Sequence, residues 1–197
     1  MQPERRMNRI LAGLLCALAA TWASAHDDYG HNAAGHGAFN NPDFGSGVYA
    51  GLSLGQLRYS EQGLDTITPA TAMLIVGASL TPNLAIEGRL GGGLGSAQSN
   101  GYSMEVHSIF AGYLKGSLPL APGFALYGLG GVANVNLQRD FGLVYANDTG
   151  FSYGLGMDFD LASNARLSLE WTHLATGDNL GYAYDVDQAA ISMAWRF

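Results

Sequence analysis

The chain has 197 residues and a formal net charge of −7, from 9 Lys and Arg against 16 Asp and Glu, which excludes nucleic acid as an expected partner. Charged residues make up 13% of the sequence, about half their share in ordinary soluble domains, while the 28 glycines are about twice the usual share. This composition suits a β-sheet with lipid on one side and a tightly filled interior on the other.

Residues 1–25 are predicted to be a signal peptide for Sec export. Arginines precede an apolar run at residues 10–20, and the small residues Ala23-Ser24-Ala25 follow it. The run is shorter than the roughly 20 residues of a membrane-spanning helix. Cys16 lies inside this segment, so we expect the exported chain to contain no disulfide and no lipid anchor.

Residues 26–45 are rich in Gly, Asn, Asp and His, which predicts a flexible N-terminal arm in the periplasm. His26, His31 and His36 recur every fifth residue in this arm, beside two aspartates. A flexible arm of this kind could gather zinc, copper or nickel. Structural metal sites have tighter ligand spacing, so we expect no metal site.

From residue 46 to residue 197 the chain breaks into eight alternating segments, joined by links that are in turn long and short. The expected strands are residues 46–59, 70–80, 84–94, 104–117, 124–136, 150–161, 165–175 and 186–197. Short turns on one side and long loops on the other predict an all-β fold, an eight-stranded antiparallel up-and-down transmembrane β-barrel with both ends in the periplasm.

Alternation predicts which side chains face lipid. In the sixth strand the odd-numbered residues from Phe151 to Leu161 are large and apolar, whereas the even-numbered ones are small or acidic. Lipid is therefore expected on the odd-numbered side. In the fourth strand the choice stays open, because Ile109 and Tyr113 compete with Phe110 and Leu114 for the lipid side.

The same parity directs nine charged side chains toward the barrel interior, five of them acidic and four basic. They are Glu87, Glu105, Asp158, Asp160, Glu170, Arg89, Lys115, Arg166 and Arg196. An eight-stranded barrel is only wide enough for side chains to fill it, and buried charges persist only when paired. We therefore predict a salt-bridged interior. The alternative is a proton or ion path, as in a narrow channel for small solutes.

Three segments resemble the small outer-membrane β-barrel superfamily, which includes the OmpA membrane domain, the OmpX/Ail barrels and porin-family proteins. They are Leu80–Leu90, Tyr127–Gly130 and the ending Trp195-Arg196-Phe197. The resemblance implies a monomer in the cell outer membrane, in contact with the lipid bilayer and lipopolysaccharide. It also implies a C-terminal signal for the outer-membrane assembly machinery, carried by Ile191, Met193, Trp195 and Phe197.

Relatives in that superfamily act as structural proteins, adhesins or serum-resistance factors. The resemblance thus implies a non-enzymatic structural or adhesin-like role, with extracellular loops that meet a surface or host ligand. Several aromatic residues near the loops fit either recognition or the aromatic girdles of a membrane protein. They are Tyr59, Tyr102, Phe141, Tyr145, Tyr182 and Tyr184.

The alternative is a lipid A-modifying enzyme, a deacylase or acyltransferase. His173 beside Glu170 resembles a region of the PagL-like deacylases, but that family has a serine two residues after the histidine, where this chain has Ala175. Parity also turns Ser168 inward and His173 outward, so the alternation brings no triad together. We therefore expect no catalytic residues.

No cofactor is expected either. Gly128–Ala133 matches a dinucleotide-binding pattern in its letters, but it does not open a helix after a strand. Glycines in a narrow barrel allow strands to bend and leave room for large neighbours.

Overall fold

A computed structural model describes residues 47–61, 65–99, 102–139, 143–179 and 182–197. The predicted signal peptide and N-terminal arm, including His26, His31 and His36, lie outside the described residues. In the described part of the chain, no helix is long and apolar enough to cross a membrane.

The described residues form one antiparallel sheet that closes on itself. Its strands are β1 (Gly47–Glu61), β2 (Ala70–Thr81), β3 (Leu84–Gly93), β4 (Ser96–Ser99), β5 (Tyr102–Ala121), β6 (Phe124–Arg139), β7 (Leu143–Ala162), β8 (Ala165–Asn179) and β9 (Tyr182–Arg196). Consecutive strands pair with each other except β3 and β4, which both pair with β5, and β9 pairs with β1. Because β3 and β4 are consecutive pieces of one barrel strand, the predicted eight-stranded antiparallel barrel is confirmed.

One end of the barrel carries three tight turns, at Pro82-Asn83, Pro122-Gly123 and Ser163-Asn164. Gly123 has a φ of 72°, a left-handed conformation that glycine adopts without strain. We call this the turn end, and we call the opposite end, where β1 finishes, the loop end.

The strands extend further toward the loop end than the sequence pattern predicts. Residues 137–149 and 176–185, both expected as long loops, lie largely within β6 to β9. The added length is stabilised from inside, because Leu137 and Tyr184, both from the expected loops, are buried in the barrel interior. Apolar side chains that we assigned to loop margins are therefore part of the core.

The outer face is apolar, as the alternation predicts. Phe151 is 69% exposed and Leu155 is 67% exposed on β7, while Ser152 between them is fully buried. In the fourth barrel strand, Phe110 and Leu114 are exposed, whereas Ile109 and Tyr113 face the interior. The choice left open by the sequence is settled in favour of Phe110 and Leu114 as the lipid side.

The interior has two layers of different chemistry. The charged layer lies toward the turn end and consists of Glu87, Arg89, Lys115, Asp158, Asp160, Arg166 and Glu170. The apolar layer lies toward the loop end and consists of Leu57, Tyr59, Ile67, Met73, Met104, Val106, Ile109, Ala133, Val135, Leu137, Leu174, Ala175, Tyr184 and Val186.

Candidate functional site

Arg89 lies at the centre of the charged layer. Its guanidinium binds Glu170 across the lumen through two parallel contacts, Nη1 to Oε1 at 2.5 Å and Nη2 to Oε2 at 2.8 Å. It also binds Glu87, two residues earlier on the same inward face of β3, with Nη2 to Oε2 at 2.7 Å. The two-pronged contact matches the planar guanidinium to the planar carboxylate, and it ties β3 to β8.

A second group of ion pairs lies beside the first. Lys115 Nζ is 2.9 Å from Asp158 Oδ2 and 3.7 Å from Glu87 Oε1, so it links the two groups. Arg166 Nε is 2.6 Å from Asp160 Oδ1, and its Nη1 is 3.4 Å from Asp158 Oδ2. Alternation of Asp158 and Asp160 on β7 points both carboxylates to the same interior side.

Neutral hydroxyl groups complete the coordination of the carboxylates. The Tyr49 hydroxyl donates to Glu87 at 2.7 Å, and Glu170 accepts from Tyr127 at 2.8 Å and from Thr172 at 2.6 Å. The side chain of Lys115 also lies over the Tyr127 ring, with Nζ 3.8 Å from the ring centroid. Buried charge is tolerated here because each acid has several donors.

Sequence reasoning missed these tyrosines, although a signal was present. Tyr49 is directly opposite Gly77, and Tyr127 is directly opposite Gly156. A Cβ added at either glycine would overlap the facing phenol ring. When an inward glycine is paired with an aromatic residue on the next strand, the aromatic ring can lie over the backbone of that glycine.

One of the nine predicted interior charges lies elsewhere. Glu105 is exposed, between the buried Met104 and Val106, so its inward assignment is corrected. Glu105 and Lys115 are both odd-numbered, but the register shift in β5 between Val106 and Ser108 separates them. Odd-numbered residues therefore face inward after the shift, where Lys115 lies, and outward before it, where Glu105 lies. Arg196 is half-buried at the turn end, where it pairs in register with Tyr49, whose side chain faces the interior.

The space left within the charged layer is small. A cavity of about 20 Å³ is lined by residues that include Tyr49, Glu87, Arg89 and Lys115. Such a volume holds about one water molecule. The arrangement can fix strands and hold a water molecule.

The apolar layer occupies the loop-end half of the lumen. The rings of Tyr59 and Tyr184 stack with centroids 5.3 Å apart, and both residues are almost fully buried. The Tyr59 hydroxyl donates to Glu61 at 2.8 Å. Two of the aromatic residues expected near the loops thus belong to the interior, whereas the side chains of Tyr102, Phe141, Tyr145 and Tyr182 lie outside the described residues.

A polar cluster surrounds His173 on the outer face of β8. The imidazole Nδ1 is 2.9 Å from Asp187 Oδ1 on β9, and Nε2 is 2.8 Å from Thr176 Oγ1. The Tyr153 ring lies beside the imidazole, with centroids 5.1 Å apart. His173 is outward, as predicted, but these neighbours leave it only 9% exposed.

No cluster of three or more His, Cys, Asp or Glu side chains that could hold a metal ion occurs in the part of the chain that the structure describes. Gly128, Gly130 and Gly131, from the dinucleotide-like pattern, lie within strand β6. They therefore do not form a phosphate-binding loop before a helix.

The family model for an outer membrane protein beta-barrel domain matches residues 11–197. Neisserial surface protein A has a similar structure, with a TM-score of 0.64, 11% identity and coverage of 77% of this chain and 98% of that chain. The attachment invasion locus protein Ail of Yersinia pestis has a TM-score of 0.58 at 16% identity, with coverage of 78% of this chain and 99% of that chain. OprG of Pseudomonas aeruginosa has a TM-score of 0.52 at 12% identity, with coverage of 78% of this chain and 97% of that chain. No curated protein matches the chain by sequence. At these identities the structural likeness shows the fold alone.

Proposed function

The chain belongs to the family of outer-membrane protein β-barrel domains and lies in the cell outer membrane, and we propose that it has a structural or surface-interaction role there. The observation that carries this proposal is the filled lumen, charged at the turn end and apolar at the loop end. A lumen occupied by packed side chains in both layers supports action through the surface and loops of the barrel rather than through transport. This role requires no catalysis.

The orientation follows from the family: the turn end faces the periplasm and the loop end faces outward. The contact partners are then the lipid bilayer, lipopolysaccharide and whatever ligand the loops meet. The neighbour Ail is named as an attachment invasion locus protein, and one of its structures contains a heparin analogue. That relative supports an attachment role for the loops of this chain.

Binding of whole cells tests the interaction role. Cells that express the protein should bind a host-cell monolayer more than cells without it, and replacement of residues 140–142 and 180–181 by Gly-Ser should remove the increase. A matched control replaces the turn-end residues Ser163 and Asn164 instead. Equal binding by expressing and non-expressing cells, at equal surface amounts, would contradict the role.

Conductance in planar bilayers separates this role from a channel. The purified barrel should show no steady current, because the charged and apolar layers fill the lumen. A large and steady conductance would favour the channel alternative and would contradict our description of the interior.

The C-terminal strand is proposed to act as the assembly signal of this barrel. On β9 Trp195 is exposed on the lipid side, and Ile191 and Met193 share that face; Phe197, which directly follows β9, is also exposed. Deletion of Phe197 should lower the amount of folded protein in the outer membrane. Phe151→Ala, which removes an aromatic ring of similar exposure from β7, is the control and should assemble normally.

Export and monomeric state remain proposals of the same kind. N-terminal sequencing of protein taken from outer membranes should begin at His26 if residues 1–25 are removed. Light scattering of the purified barrel should give the mass of one chain.

A further inference from the structure

The outer wall of the barrel carries a hydroxyl, an imidazole and a carboxylate in sequence, which the proposed function does not use. Thr176 Oγ1 is 2.8 Å from His173 Nε2, and His173 Nδ1 is 2.9 Å from Asp187 Oδ1. Nε2 of the imidazole thus contacts a hydroxyl that could act as a nucleophile, and Nδ1 contacts a carboxylate that could orient the ring. This is the geometry by which serine and threonine hydroxyls are activated.

A bulge in β8 produces this arrangement. The pairing with β9 shifts between His173 and Ala175, so that both Leu174 and Ala175 are buried in the apolar layer. Thr176 then returns to the outer side, on which His173 lies. Strict alternation placed Ala175 next to His173 on that face, and for this reason the sequence pattern showed no nucleophile.

Both the main chain and the imidazole ring of His173 are held in place by neighbouring side chains. Ser152 Oγ donates to the carbonyl oxygen of His173 at 2.6 Å, and the Tyr153 ring packs beside the imidazole. When Nδ1–H donates to Asp187, Nε2 is free to accept the Thr176 proton. Thr176 Oγ1 also contacts Asp185 Oδ1 at 3.1 Å, so in the resting state the hydroxyl proton has two acceptors.

The site lies where the apolar outer wall ends toward the loop end. On β9 the lipid face runs from Trp195 up to Ala189, and Asp187 follows. Trp171 and Phe151 are exposed on the neighbouring strands. Across the other edge of β9, Asp187 pairs in register with Arg58, an exposed cation. An apolar wall beside a cation at the level of the outer-leaflet interface suits a lipid with acyl chains and an anionic headgroup.

We propose that Thr176, His173 and Asp187 form a catalytic triad that hydrolyses acyl ester bonds of outer-leaflet lipids. Thr176 Oγ attacks the ester carbonyl and transfers its proton to His173 Nε2. The C–O bond to the lipid alcohol breaks, and the alcohol leaves with that proton. Water, deprotonated by His173, then releases the fatty acid and restores the Thr176 hydroxyl. Asp187 holds the ring and stabilises its charged form.

This activity goes beyond the structural and surface role, and it is an alternative to the expectation of no catalytic residues. The shared substrate chemistry is the acyl ester, which occurs both in glycerophospholipids and in lipid A. The two lipids are therefore separate arms of the test, and neither arm depends on binding by the loops.

The full-length protein is extracted from outer membranes and placed in vesicles of phosphatidylethanolamine and phosphatidylglycerol, or in the same vesicles with lipid A. Released fatty acid is measured by mass spectrometry, and covalent labelling by a fluorophosphonate is mapped by peptide mass. We expect release in at least one arm and a label on Thr176. Thr176→Ala and His173→Gln should each lower release by about 100-fold or more, while Thr176→Ser should keep it.

His107→Gln changes an exposed histidine on β5 and is the matched control, which should keep full activity. Each variant is first shown to be folded by its heat-dependent mobility on a gel, so that loss of the barrel is not mistaken for loss of catalysis. Release that persists in Thr176→Ala would overturn the proposal. So would the absence of both release and label from the folded wild type with both lipids, which would leave the cluster as a polar brace of the bulge.

Discussion

The two layers of the interior close the same lumen by different physical means. In the charged layer, three basic and four acidic side chains bind one another and are supplemented by hydroxyl donors. In the apolar layer, fourteen residues pack without a charged member. One layer depends on specific partners, whereas the other depends on volume and buried area.

This difference predicts how each layer responds to the loss of one member. Removal of an ion from a shared network leaves its partners charged and buried, a cost that the remaining groups cannot relieve. Removal of methyl groups from an apolar layer costs transfer free energy and a cavity, and neighbours relax partly into the space. The charged layer should therefore show the larger single-residue effects.

Arg89→Met should have the largest effect. It leaves Glu87 and Glu170 without their guanidinium, and we expect a loss of about 3–5 kcal/mol in the free energy of unfolding. Urea unfolding of the barrel in vesicles measures it. Arg166→Met should cost less, because Arg166 is more exposed than Arg89. Arg58→Met, on the outside, is the control, and an unchanged midpoint for Arg89→Met would show that these charges reach water.

Leu57→Ala tests the apolar layer in the same assay. Leu57 is fully buried, so we expect a loss of about 2–4 kcal/mol from the transfer term and the cavity. Leu155→Ala removes the same atoms from the lipid-facing side, where lipid fills the space, and should cost less. If the two substitutions had equal effects, the apolar layer would not be close-packed.

Gly156→Ala probes the fit between a backbone and a phenol ring in the charged layer. The added Cβ overlaps the Tyr127 ring and lies 2.7 Å from the backbone oxygen of Leu169 on β8. The ring must therefore move away from Glu170 and the β8 backbone must shift, with an expected loss of about 1–3 kcal/mol. Gly150→Ala on the same strand meets no atom within 4 Å and is the matched control. If Gly150→Ala lowered the free energy of unfolding as much as Gly156→Ala, the effect would come from the backbone and not from the contact with the ring.

Alternation along the strands was sufficient to predict the barrel, its strand number and most of its faces. The inward positions of Glu87 and Arg89 on β3 followed from parity alone, because β3 pairs with β5 without a register shift. Exposure of Leu155 and burial of Ser152 on β7 followed in the same way. Local pattern is reliable wherever the pleat is regular.

Parity fails where a bulge adds a residue. Two such bulges determine on which face Glu105 and Thr176 lie. The register shift near Val106 moves Glu105 outside, and the one after His173 brings Thr176 into contact with the imidazole. Neither shift contains a glycine or proline that would reveal it in the sequence. The sequence also predicted strands that are too short at the loop end. Those segments are stabilised by burial across the lumen, which local alternation does not reveal.

Thr172→Val gives the smallest expected effect and separates hydrogen bonding from ion pairing in the charged layer. The Thr172 hydroxyl donates to Glu170 Oε1 at 2.6 Å, but Glu170 keeps the two contacts from Arg89 and one from Tyr127. Because the carboxylate stays paired, we expect a loss of about 0.5–1.5 kcal/mol with no change in the denaturant slope. Thr66→Val, at an exposed position, should have no effect. A loss as large as that of Arg89→Met would mean that the hydroxyl donors, rather than the guanidinium, hold the carboxylates in the charged layer.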